Sequence, residues 1–107
     1  MINFSHEIEM AQAARAGGNE GKARVCARRA VGWVIREYYF REGILVESGS
    51  AYDYLRSLQQ SEKISPEAKK ITGNFLTRIS PEGELPIDAD LISEAYWLKD
   101  YLLGNAD

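Results

Sequence analysis

Six basic residues crowd one stretch of the chain: Lys22, Arg24, Arg28, Arg29, Arg36 and Arg41, with Arg15 just before them. Lys22, Arg29 and Arg36 stand seven residues apart, and Arg24 and Arg28 stand four apart. On an α-helix of about 3.6 residues per turn, each set falls along one face. A row of cations of this kind takes phosphate groups or an acidic partner surface. It can equally pair with acids of the same chain, Glu37 and Glu42 among them. Lys22, Arg24, Arg28, Arg29 and Arg36 are the candidate residues for a phosphate or an acidic partner. The chain as a whole is acidic, with 13 Lys and Arg against 16 Asp and Glu, which weighs against a dedicated nucleic-acid binder. The imbalance is regional. Residues 1–43 carry 7 basic and 5 acidic groups, and residues 44–107 carry 6 and 11.

Other chemistry is thin. The run GGNEGK, Gly17 to Lys22, resembles a phosphate-binding loop, but that motif needs a glycine where Ala16 stands and a hydroxyl where Ala23 stands. It also follows a strand, whereas the residues before Gly17 read as a helix. A helix–helix turn accounts for these residues better. His6 is the one histidine, and no relay partner is evident for it. Asp53 and Glu94 are conceivable as a carboxylate pair, though many such pairs can be drawn. Cys26 is the one cysteine. It sits at the edge of an apolar face and reads as a buried, inert thiol. One Cys and one His exclude an internal disulfide and the common zinc sites. No metal, cofactor or catalytic residue is assigned from these residues.

These residues depend on helices for their placement. The chain of 107 residues suits one domain, and five stretches carry helical spacing. The first runs from about Phe4 to Ala16, capped by Asn3 or Ser5 and stopped by Gly17 and Gly18. The second, from about Glu20 to Arg41, is the longest and is rich in Ala and Arg, both strong helix formers. The third covers about Ser50 to Gln60. The fourth starts at Ser65-Pro66-Glu67, a capping hydroxyl followed by Pro at the first helical position, and runs to about Ile79. A turn is expected at Ser80 to Gly83. The fifth, capped by Asp88 or Asp90, ends at Leu103 before Gly104. Ile44, Leu45 and Val46 form a short apolar run with no strand partner, expected to tuck against the helices. The expected fold is all-α, an up-and-down bundle of about five helices around a long central second helix. No apolar run is long enough to span a membrane and no signal-peptide pattern opens the chain, so a cytoplasmic location is expected.

The second helix is apolar on more than one side. Ala23, Ala27, Ala30, Val31, Val34 and Tyr38 cluster as the core face. Val25, Gly32 and Tyr39 lie seven apart on another line, with Trp33 beside them. A helix with one wet face should be polar there. Two explanations fit: the helix is central to its own bundle, or Val25, Gly32, Trp33 and Tyr39 meet a second copy in a two-fold homodimer. Trp and Tyr are frequent anchors of such interfaces.

The stretch KARVCARRAVGWVIREYY, Lys22 to Tyr39, resembles the long Ala-rich second helix of HEPN domains (higher eukaryotes and prokaryotes nucleotide-binding). Gly43 and then SAYDYLRSL, Ser50 to Leu58, look like that family's return into a short helix, and Leu91 to Leu103 fits its apolar last helix. The resemblance implies an up-and-down bundle that often dimerises. It implies either RNA cleavage or the binding of nucleotides or partner proteins. RNA-cutting members carry an Arg followed, after four to six residues, by a His. Here His6 precedes every arginine, so no position inherits that pair. The expected function is a non-catalytic HEPN-like binding or protein-interaction module. The alternatives are a ribonuclease-like or nucleotide-binding protein using the basic helix, and a structural dimeric subunit.

Overall fold

The N-terminal residues enter a helix because Asn3 accepts the amide of His6 on its side-chain oxygen at 3.2 Å. Helix α1 (Phe4–Ala16) buries Phe4, Ile8, Ala11 and Ala14 on one face, together with Glu7. The computed structural model describes residues 3–45, 49–77 and 89–104. Among them five helices and no strand make an up-and-down helical bundle, with α2 (Glu20–Arg41), α3 (Ala51–Gln59), α4 (Pro66–Leu76) and α5 (Leu91–Leu103) following α1.

Gly18 takes φ of 81°, a left-handed conformation that a side chain would strain. The chain can therefore reverse within Gly17, Gly18 and Asn19. Asn19 donates back to the Ala14 carbonyl at 2.8 Å and caps α2 by accepting the Lys22 amide. The phosphate-loop-like residues are thus a helix–helix turn. Arg15 fixes this corner. It donates to Glu20 at the start of α2 and to Asp90, the N-cap of α5. The Arg15 hydrogen bonds lower the Glu20 pKa. Burial pushes Asp90 up, but its bonds from Arg15 and Ser93 outweigh that and hold it below the usual carboxylate range.

Helix α2 is the centre of the bundle and packs against α1, α3 and α5. Ala23, Ala27, Ala30, Val31 and Val34 are buried as their spacing requires, and Cys26 and Ile35 join them. Tyr38 is only half-buried and Tyr39 goes inside instead. The reason is α3. Its Ser50 cap forms a reciprocal capping box with Asp53, which accounts for Asp53 as a helix-start residue. Helix α3 lies on the second face of α2. A Cβ placed on Gly32 would meet the Cβ of Ala51 at 2.8 Å and its Cα at 3.0 Å. Farther along, the Tyr39 hydroxyl hydrogen-bonds Ser57 at 2.9 Å and its ring meets Tyr54.

This placement corrects Tyr38 as a core-face residue. Gly32 and Tyr39, expected at a dimer interface, are buried with α3 against them. Val25, one turn-pair earlier on the same line, lies beyond that cover and is 42% exposed. Trp33 is half-buried. The tucked apolar loop is also corrected. Gly43 turns the chain at φ of 71°, after which Ile44 is partly exposed and Leu45 is 98% exposed. Tyr54 and Ser57 already occupy the α2 surface at Tyr39.

Helix α4 begins with Ser65 as cap and Pro66 in its first turn, as its sequence demands, and buries Ala68, Ile71, Thr72 and Phe75. Asn74 donates to Glu94 of α5 at 3.0 Å, so Glu94 braces two helices and is not paired with Asp53. Asp90 rather than Asp88 is the cap of α5. Val46, Ile79, Ser80 to Gly83 and Asp88 lie outside the described residues.

Enlarging Gly32 tests the contact between α2 and α3. Gly32→Val should force the two helices apart and lower stability by about 2 kcal/mol. For a chain of this size that is a loss of roughly 10 °C in thermal midpoint, measurable by circular dichroism. An unchanged midpoint would mean that α3 does not rest on Gly32.

Candidate functional site

The small residues that let α3 approach α2 also leave room beside them. A cleft of about 260 Å³ opens where α1, α2 and the start of α3 meet. Its walls include Glu7 of α1, Arg29, Trp33 and Arg36 of α2, and Ala51 and Tyr54 of α3. Gly32 lies among them. The seven-residue spacing of Arg29 and Arg36 puts both guanidiniums on the same side of α2, with Trp33 between them. The Arg36 guanidinium lies over the Trp33 ring, 5.3 Å from its centroid, a cation–π contact that holds the planar group in place.

The structure divides the five basic candidates. Arg29 and Arg36 are exposed cations that line the cleft, and among the described residues neither is in an ion pair. Lys22 is exposed at the opposite, N-terminal end of the same face. Arg24 lies near Glu20 and helps to lower its pKa. Arg28 is part-buried and donates to the main-chain carbonyl of Phe75 at 3.3 Å, so it ties α2 to the end of α4. Arg41 bonds Glu37 one turn back and the Leu103 carbonyl. The basic stripe is therefore several things: part of it is bracing, and its middle is a cleft wall.

Sequence reasoning passed over Glu7. An acid in the first turn of α1 is favourable at the helix N-terminus. In the fold Glu7 is 6% exposed, and its Oε1 is buried with no hydrogen-bond partner among the described residues. A buried polar group left without a partner costs about 1–3 kcal/mol, and more when charged. An exposed acid would serve the helix dipole without that cost. The available signal was positional: Glu7 falls between Phe4 and Ile8, within the stripe that α1 turns inward.

Elsewhere the candidate chemistry is absorbed by the fold. Cys26 is a buried free thiol. His6 is exposed on α1. Trp97 and Tyr101 stack with centroids 5.1 Å apart, and the Tyr101 hydroxyl accepts the Ser65 amide at the start of α4. No group of three or more His, Cys, Asp or Glu among the described residues is placed to hold a metal ion. No helix among them is long and apolar enough to cross a membrane.

No protein-family model, no curated protein and no solved structure matches this chain.

Proposed function

We propose that the chain is a non-catalytic binding module, HEPN-like in its pattern of helices, whose site is the cleft between α1, α2 and α3. One observation carries this reading. Arg29 and Arg36 face the same cleft beside an indole, and neither is ion-paired among the described residues. Arg15 and Arg41, by contrast, pair with acids. Two guanidiniums on one wall present several N–H donors to an anion, and phosphate or carboxylate matches their fork. The purely structural reading requires internally paired arginines, and among the described residues Arg29 and Arg36 are in no ion pair. A nuclease reading has no specific observation in its favour: Arg28 is bound to the Phe75 carbonyl.

The binding reading is tested by titrating the protein with inorganic phosphate and following the arginine side-chain and Trp33 indole N–H signals by NMR. Shifts should concentrate on Arg29, Trp33 and Arg36 and weaken as salt is added. The double variant Arg29→Gln, Arg36→Gln should lose about tenfold or more in affinity, the size expected for charge-assisted hydrogen bonds. Shifts centred on Lys22 and Arg24, or none, would overturn the reading.

A second reading, a homodimer through the uncovered end of α2, is favoured by one observation. Phe40 is 81% exposed and Leu45 98% exposed, next to half-buried Trp33. Apolar side chains grouped on a surface mark contact sites. Light scattering should then give twice the 12.0 kDa of one chain, and Phe40→Glu should return it to a single chain. A single-chain mass at every concentration would contradict this reading.

A further inference from the structure

Glu7 is costly for the fold, its buried Oε1 has no hydrogen-bond partner among the described residues, and it stands in the wall of the same cleft as Arg29 and Arg36. A carboxylate accepts hydrogen bonds and donates none, so what satisfies it must bring N–H or O–H donors, and a positively charged N–H group serves best. The two guanidiniums ask for the opposite, an acceptor with negative charge. With both demands made in one space, the complementary ligand carries both charges. At about 260 Å³ the cleft falls below the roughly 300–1,000 Å³ of sites for drug-sized molecules, so the ligand is small.

We infer that the cleft binds a small zwitterion, its amine or other cationic N–H group on Glu7 and its anionic group on Arg29 and Arg36, a conclusion that rests on the anion-binding reading of the same cleft. The division of labour follows from burial. Glu7 is the shielded end, where an unpaired charge is most costly and a matching charge is most strongly held. Arg29 and Arg36 are the exposed end, suited to draw the anionic group in from solvent. Trp33, under the Arg36 guanidinium, keeps that end ordered before the ligand arrives. Anion binding alone would leave Glu7 unexplained, and an acid near the anion would oppose it.

The test is a calorimetric titration with four probes: O-phosphoethanolamine, β-alanine, inorganic phosphate and ethanolamine. At least one zwitterion should bind about tenfold or more tightly than phosphate and than ethanolamine, and the stronger of the two identifies the anion as phosphate or carboxylate. Glu7→Gln, which keeps the shape and removes the charge, should abolish that advantage and leave phosphate affinity unchanged or improved. Its thermal midpoint should not fall, because the carboxylate has no hydrogen-bond partner among the described residues to lose. Glu7→Met, of similar length and apolar, is the second variant and should give the same loss of zwitterion preference. If phosphate binds as well as either zwitterion and Glu7→Gln changes neither, the zwitterion inference fails while the anion cleft stands. If no probe binds, both fail. If Glu7→Gln and Glu7→Met both lower the midpoint and neither alters binding, Glu7 is a structural counter-charge to the arginines and the inference is overturned.

Discussion

The absence of a side chain at Gly32 brings α3 against α2, with Ala51 in the place that a Cβ would need. Much of the bundle follows from that approach. Once α3 rests there, Tyr39 is carried under it and bonded to Ser57, and α2 has neighbours on three sides. The same lack of bulk leaves the cleft open beside the contact, since Gly32 and Ala51 both belong to its lining. Packing and site therefore share one cause. A larger residue at that position would push the helices apart and fill the space between them.

This shared cause also explains what was legible in the sequence. Helix starts were, because they are set locally; the end of α4 was not, since the chain is already extended at Thr77, short of the Ile79 that its spacing suggested. Asn3, Asn19, Ser50, Ser65 and Asp90 all cap the helices they precede, and Gly18 turns where only a residue without a side chain is comfortable. The second apolar line of α2 was legible too, as Gly32 and Tyr39 at a seven-residue spacing. What covers it was not. A face of one helix states that something apolar packs there, and it does not distinguish another helix of the same chain from a second chain. Settling that takes the path of α3, which depends on contacts distant in sequence.

The site shows the same division. The alignment of Arg29 and Arg36 is a property of one helix, and periodicity finds it. The separation of Arg28 from them, by its bond to the Phe75 carbonyl 47 residues on, is not local, and neither is the burial of Glu7. A charged residue inside an inward stripe is easily read as a boundary residue when its neighbours in space are unknown. The cost of placing it there, beside two cations with no ion pair among the described residues, is what makes this cleft the candidate site. The corner at Arg15 is the useful contrast. There a cation and two acids from three helices satisfy one another, and no demand is left for a ligand.

The central claim, that α2 finds its second partner within its own chain, is open to a direct spectroscopic measurement. A nuclear Overhauser effect between the Gly32 α-protons and the Ala51 methyl is recorded in protein mixed from labelled and unlabelled chains, with filters that separate contacts within a chain from contacts between chains. The account predicts a strong effect within the chain and none between chains, whatever the state of assembly. A Gly32–Ala51 contact seen only between chains would contradict it, and would return Gly32 and Tyr39 to the interface of a dimer.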